Sequence, residues 1–127
     1  MGLHLYPNDD EVTSPDISWS YSGFRMFREW LAQAEGFVLA EMRGHDGNRP
    51  WSDVTTTLEP LLHHADDDGP DLAPDQCAAM LPRLRAIADE RRSDAADPVV
   101  GRRVDDTRQL ITVMEFCVAE DLPLVFG

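Results

Sequence analysis

The sequence predicts a mainly α-helical α+β fold, with three or four helices around one core and a small sheet built from short terminal strands. Apolar residues recur at spacings of three and four over several long segments, which is typical of amphipathic helices. Both ends of the chain carry short segments whose residue types favour strands. With 127 residues, 43% of them hydrophobic, the chain is long enough to bury a core as a single α-rich domain spanning residues 1–127.

The expected sheet comes from the two ends of the chain. Residues 3–6 alternate apolar and polar side chains, and residues 124–126 are apolar and β-favouring. Each would be marginal alone, so we expect them to pair with each other. Residues 17–21 also alternate, and are either a second short strand or the lead-in to the first helix.

The first helix is predicted over residues 22–42, with Gly44 as its C-terminal stop. Its apolar stripe consists of Phe24, Phe27, Leu31, Ala34, Val38 and Met42. Arg25 and Glu29 are four residues apart and should form an ion pair on its exposed side. A short second helix is expected to begin with Ser52 as N-cap and to be interrupted at Pro60.

The third and fourth helices are predicted from clear start signals. Pro74 opens the third helix, which contains Pro82 within its apolar pattern, and Asp97 followed by Pro98 opens the fourth, which should end near Asp121. The apolar stripe of the fourth helix consists of Val100, Val104, Thr107, Ile111, Met114 and Val118.

The two cysteines and the N-terminal sequence indicate a cytoplasmic protein. Cys77 and Cys117 both lie on apolar stripes, so we expect buried, unpaired thiols. The N-terminal residues lack the basic and apolar regions of a secretory signal, and no apolar run is long enough to span a bilayer.

Acidic residues dominate the charge balance. Asp and Glu together number 24 against 11 basic residues, all of them arginine, so the formal net charge is −13. Such a charge repels nucleic acid and anionic membranes and attracts basic proteins. The arginines near the third and fourth helices alternate with acids, which predicts solvated ion-pair faces rather than a nucleic-acid surface. They are Arg83, Arg85, Arg91 and Arg92, then Arg102, Arg103 and Arg108.

Potential metal ligands crowd together only in residues 63–75, which weakly resemble a degenerate EF-hand loop. With His64 at loop position one, Asp66, Asp68, Gly69 and Asp75 fall at positions three, five, six and twelve. A nitrogen ligand at position one and Asp instead of Glu at position twelve both disfavour calcium. The sequence therefore favours a solvated acidic turn between two helices, with Asp and Gly suited to the turn.

Other chemistry finds little support in the sequence. Adjacent His63 and His64 would point in different directions on a helix, which disfavours a shared transition-metal ion. The aromatic residues of positions 19–30 are expected to pack in the core. There is no nucleophile elbow, P-loop or dinucleotide-binding glycine pattern, so we assign no catalytic residue, no metal ligand and no cofactor.

Several short motifs resemble a family of small uncharacterised proteins from actinobacteria and phages. They are SWSYSGF at residues 18–24, LLHH at 61–64 with Asp66, Asp68 and Gly69, QC at 76–77 and LPRL at 81–84. The resemblance implies a compact domain and a bacterial or phage setting, and assigns no role to any residue.

The function that the sequence favours is that of a non-enzymatic interaction protein, with an acidic surface that engages a basic protein partner. An inhibitor, an immunity-type protein or a mimic of nucleic-acid charge would have this character. The acidic residues crowded together without arginine neighbours are the expected interaction residues: Asp66, Asp67, Asp68 and Asp71. A divalent-cation-binding regulatory module using loop 64–75 is the alternative, and a small enzyme is the third possibility.

Overall fold

The fold is a small antiparallel sheet packed against helices, and it confirms the predicted mainly α-helical α+β class. A computed structural model describes residues 2–9, 14–45, 47–64, 70–94 and 96–127. The described residues form β1 (Gly2–Pro7), β2 (Ile17–Ser20), α1 (Tyr21–Ala34), α2 (Glu59–Leu62), α3 (Pro74–Arg91), α4 (Pro98–Ala119) and β3 (Leu124–Phe126). Short 3₁₀ helices cover Leu39–Glu41, Trp51–Asp53 and Arg92–Asp94.

The predicted pairing of the two chain ends is confirmed. The strand order is β2-β1-β3, and both pairings are antiparallel. At one end of β1, Gly2 lies opposite Ser20, and at the other end Pro7 lies opposite Leu124. Leu124 also forms an isolated antiparallel bridge with Leu72, so β3 is held from both sides.

The first helix is much shorter than the predicted range of 22–42. It ends at Ala34 because Gly36 adopts a left-handed conformation, with φ of 89°, that favours glycine. The N–H of Phe37 donates to Ala32 and that of Gly36 donates to Gln33, the hydrogen bonds of a Schellman C-cap. Residues 37–42 leave the helix, although their apolar spacing continues the helical pattern.

The predicted second helix is also corrected. Ser52 lies inside the 3₁₀ helix Trp51–Asp53 and does not cap an α-helix. The α-helical turn α2 comes later, with Pro60 in its first turn, where the missing N–H of proline has no intrahelical partner to lose.

The starts of α3 and α4 are as predicted. Pro74 begins α3, which continues through Pro82, and the carboxylate of Asp97 accepts hydrogen bonds from the N–H groups of Val99 and Val100 at the start of α4. The two helices pack against each other, and α4 also lies against β1 and β2. Their buried side chains join those of the sheet and α1 in one core cluster.

The core holds both thiols. Cys77 and Cys117 are free and buried, as expected. Burial raises the pKa of Cys77 to about 12 and that of Cys117 to about 11, and the nearby charges of Asp75 and Asp9 add to the respective increases. No α-helix in the described parts of the chain is long and apolar enough to cross a membrane.

Both thiols should react slowly with a thiol reagent in the native protein. Their raised pKa values lower the thiolate fraction roughly a hundredfold or more relative to an exposed cysteine, and burial limits access further. The measurement is the rate of labelling with and without denaturant, with Cys77→Ser and Cys117→Ser assigning each phase. Complete labelling of either thiol within seconds under native conditions would contradict the buried placement.

Candidate functional site

The acidic segment, residues 65–71, lies between two residues that are held in the fold, His64 and Leu72. Asp66, Asp67 and Asp68 lie outside the described residues, whereas Asp71 is described and exposed. Before the segment, the His64 ring is buried and its Nε2–H donates to the carbonyl oxygen of Pro70 over 2.6 Å. After it, Leu72 exchanges two backbone hydrogen bonds with Leu124. The segment therefore leaves and rejoins the fold at two fixed points.

His64 is part of a buried group of aromatic and cationic side chains. Its ring stacks on Phe126 with centroids 3.7 Å apart. The Arg28 guanidinium donates to the His64 carbonyl oxygen over 2.6 Å and lies 4.4 Å from the Phe24 ring centre. Among the described residues, the Nε2 of His64 is therefore used by Pro70 and its ring face by Phe126.

The other residues of the EF-hand interpretation are also placed. His63 is exposed and stacks on Trp51 at 4.7 Å, so the two adjacent histidines contact different aromatic side chains. Asp75 lies in the first turn of α3, where its Oδ1 accepts a hydrogen bond from the N–H of Gln76. Asp68 and Gly69 lie outside the described residues. Among the described residues, no three His, Cys, Asp or Glu side chains are arranged to hold a metal ion.

Three acidic segments converge where β1 ends and β3 begins. The N–H of Asn8 donates to Pro123 over 2.9 Å, and Leu72 pairs with Leu124, so the residues next to them share one end of the sheet. We call this surface the acidic end. Its described members are Asp9, Asp71, Asp75, Glu120 and Asp121.

The acidic end lacks ion pairs with arginine over most of its described residues. No described arginine forms an ion pair with Asp71, Asp75, Glu120 or Asp121. All four of these residues are exposed. Their charges are therefore available to an incoming molecule.

Elsewhere, several arginines form the expected ion pairs. Arg25 pairs with Glu29 at 3.1 Å, and Arg85 pairs with Glu115 at 2.9 Å, both on exposed surfaces. Arg83 reaches the largely buried Glu35 at 2.7 Å, an ion pair that the sequence did not predict. Glu35 also accepts a hydrogen bond from Thr56, which ties the end of α1 to α3 and to the segment before α2.

The expectation of a solvated face is wrong for Arg103. Its side chain is only 10% exposed, and its Nη1 lies 3.9 Å from Asp106 Oδ2, beyond hydrogen-bond distance. Asp106 also contacts the core, since its Oδ2 accepts a hydrogen bond from the buried Trp19 indole over 3.1 Å. Neighbouring Asp105 is exposed and forms no ion pair with a described arginine.

Arg103 and Asp106 line a cavity of about 500 Å³ between β2, the first turns of α1 and the first half of α4. We call it the Ser–Arg cavity. Its lining is polar on several sides and consists of Ser18, Trp19, Ser20, Ser22, Gly23, Met26, Arg102, Arg103 and Asp106. Sequence analysis missed this site because its residues come from three elements. One signal was available: Arg103 keeps the spacing of the buried α4 residues Thr107, Leu110, Met114 and Cys117.

A further cluster surrounds Trp51, whose indole donates to the carbonyl oxygen of Arg43. The His45 ring lies 6.2 Å from it, and His45 Nε2–H donates to the Leu62 carbonyl oxygen over 3.0 Å. Burial lowers the pKa of His45, although this hydrogen bond opposes the shift. The neutral ring helps to hold the segment around residue 45 against α2, which is a structural role.

Comparison with known proteins gives no relative to guide the assignment: no family model, curated protein or solved structure matches the chain.

Replacing His64 should destabilise the fold. The change His64→Leu places an apolar side chain at this buried position but removes the hydrogen bond to Pro70 and the stacking on Phe126. The free energy of unfolding should fall by about 1–3 kcal/mol. The free energy of unfolding, measured by urea denaturation, gives the comparison. His63→Leu is the matched control at the exposed neighbouring ring. Equal stability of the His64 and His63 variants would contradict the anchoring role of His64.

Calcium affinity should be no tighter than roughly the millimolar range of the weakest modules. The reason is that His64 is packed in the core and the loop ends in Asp75 instead of Glu. Isothermal titration with CaCl₂ measures it. Micromolar binding that is lost in Asp66→Ala would overturn this expectation and favour a regulatory cation site.

Proposed function

We propose that this chain is a non-enzymatic interaction protein of the cytoplasm whose acidic end engages a basic protein partner. The observation that carries the proposal is the convergence of three acidic segments at one end of the sheet, where the exposed Asp71, Glu120 and Asp121 form no ion pair with a described arginine. The role would be that of an inhibitor, an immunity-type protein or a mimic of nucleic-acid charge, in a bacterial or phage setting.

The distribution of charge along the chain supports this choice of surface. Residues 50–82 contain seven acidic residues and none of the 11 arginines. The interaction residues expected from the sequence, Asp66, Asp67, Asp68 and Asp71, lie in the middle of this stretch. A run of one sign without neutralising neighbours produces a local negative potential that attracts cations and basic surfaces.

The fixed ends of the acidic segment favour binding over simple solubility. His64 and Leu72 are both buried, and both contact β3 through Phe126 or Leu124. Residues that are already held in the fold do not have to be ordered when a partner binds beside them, so more of the contact energy remains as affinity.

Long-range attraction should govern how fast such a partner binds. Electrostatic complementarity raises association rates at low salt more than it lengthens the lifetime of a complex. The Debye length falls to roughly 5 Å at a few tenths molar salt, where this steering is largely lost. A partner of this kind therefore has a basic surface and a strongly salt-dependent association rate.

The test begins with affinity capture from the native host at low salt, followed by kinetics on the purified partner. A variant carrying Asp66→Asn, Asp67→Asn, Asp68→Asn and Asp71→Asn should associate about tenfold more slowly than the original protein, because it loses four of the steering charges. Surface plasmon resonance at several salt concentrations gives the association rates.

A matched control separates the acidic segment from net charge alone. It neutralises four exposed acids elsewhere, through Glu29→Gln, Glu41→Gln, Asp89→Asn and Asp105→Asn. This control should retain most of the association rate. Any of three results would contradict a binding role for the acidic end. These are capture of an acidic partner, an association rate that does not change with salt concentration, and equal effects of the two variants on that rate.

A further inference from the structure

The lining of the Ser–Arg cavity carries two arginines and one carboxylate, a net positive charge in an otherwise acidic chain. We propose that it binds the phosphate group of a small phosphomonoester. This inference is independent of the acidic end and of the partner proposed for it. It rests on three features of the lining: a largely buried arginine to which the described residues offer no hydrogen-bond acceptor, a helix N-terminus among serine hydroxyls, and a single carboxylate.

Arg103 is the first feature. Its side chain is nine-tenths buried, and its one ion pair among the described residues is with Asp106, at 3.9 Å and outside hydrogen-bond distance. A guanidinium presents five N–H donors in a rigid fork that matches the oxygens of phosphate. The guanidinium nitrogens of Arg103 are not among the fully buried atoms that lack a partner, so they face the cavity, where an anion can replace water as their acceptor. Arg102, which is exposed, adds a second positive charge at the same wall.

The start of α1 is the second feature. The first N–H groups of a helix lack intrahelical acceptors, and the helix dipole favours an anion there. No acidic residue occupies the first turn of α1. Ser20 caps the Gly23 N–H through its Oγ at 3.0 Å, and its Oγ lies 3.4 Å from that of Ser22, so one of these two hydroxyls donates to the other and the second keeps a proton to donate to a ligand. A Cβ at position 23 would lie 2.9 Å from that Oγ, so glycine permits this close cap. Ser18 and Ser22 add two more hydroxyls to the lining.

Asp106 is the third feature, and it defines which anion fits. One of its oxygens accepts the Trp19 N–H, and a carboxylate can accept further hydrogen bonds but donate none. A phosphomonoester has a second pKa of about 6, so near that pH a large fraction carries a proton that it can donate to Asp106. Sulfate has no such proton and would meet the carboxylate as a like charge. The cavity should therefore select phosphate over sulfate.

The ligand is expected to be small. A cavity of about 500 Å³ has the size of a metabolite site. A nucleic acid would bring many phosphates towards a chain with a net charge of −13, which repels polyanions at long range. Met26, which is 52% exposed at the rim, gives an apolar surface against which the organic part of an ester can pack.

The test is calorimetric titration of the full chain at pH 6 with ribose 5-phosphate, inorganic phosphate and sulfate. Both phosphate ligands should bind, with sulfate about tenfold weaker or more, since it leaves Asp106 without a donor. Tighter binding of the ester than of inorganic phosphate assigns a contribution to the organic part, and equal binding assigns the affinity to the phosphate alone. Amide shifts of Ser22 and Gly23 should report both ligands.

Variants locate the site. Arg103→Met should weaken phosphate binding about tenfold or more, because it removes the charged guanidinium and leaves an unbranched apolar side chain in its place. Arg108→Gln is the matched control, since Arg108 is exposed on the same helix and does not line the cavity. Asp106→Asn should reduce the preference for phosphate over sulfate, because an amide can donate to either anion.

Folding is checked by thermal melting of each variant. If Arg103→Met proves unstable, the exposed pair Arg102→Gln and Ser22→Ala carries the test, with a combined loss of about tenfold expected. The proposal is overturned if neither phosphate ligand binds at 10 mM or so, far above ordinary metabolite-site constants. It is equally overturned if sulfate binds as well as phosphate, or if Arg108→Gln weakens binding as much as the cavity variants.

Discussion

The pairing of β3 with β1 is the interaction on which the rest of the structure depends. Leu124 lies opposite Pro7 on one side and pairs with Leu72 on the other, so the last strand joins the N-terminal strand to the segment before α3. Two residues along, Phe126 stacks on His64 and approaches the Phe24 ring edge-on, which ties α1 to the same strand. A three-residue strand would not persist alone, so it is these tertiary contacts that make it stable.

The two buried arginines illustrate what a guanidinium does in this fold. Arg28 donates to the His64 carbonyl oxygen and lies over Phe24, so its charge is used to connect α1 with the residue that begins the acidic segment. Arg103 is buried to a similar degree but has only the distant carboxylate of Asp106 among the described residues. Burying a charged group is costly unless hydrogen bonds compensate it. These contacts give Arg28 a structural role, whereas a ligand in the cavity would supply the acceptors that the described residues do not give to Arg103.

Sequence patterns predicted those parts of the fold that local chemistry determines. The caps and prolines that start α3 and α4, the β-favouring chain ends and the apolar stripes around Cys77 and Cys117 all lie where expected. The end of α1 was misplaced because Phe37 and Met42 are buried and keep helical spacing, although Gly36 had already ended the helix. The exposure of Asp71 could be predicted from its sequence neighbours alone. The Ser–Arg cavity could not, because its arginines lie some 80 residues from its serines and only the packing of α4 on β2 brings them together.

The sheet also explains how a strongly acidic chain can carry an anion site. The Ser–Arg cavity lies near Ser20, opposite Gly2 at one end of β1, whereas the acidic end begins beyond Pro7 at the other. Five residue steps of a strand separate these ends by roughly 17 Å, and the Debye length at physiological salt is about 8 Å. Screening therefore removes most of the repulsion that the acidic end exerts on an anion in the cavity. The contacts that remain are local, namely two arginines, one helix N-terminus and one carboxylate. Because β1 fixes this separation, one small fold can present a negative surface to a protein and a positive cavity to a small anion.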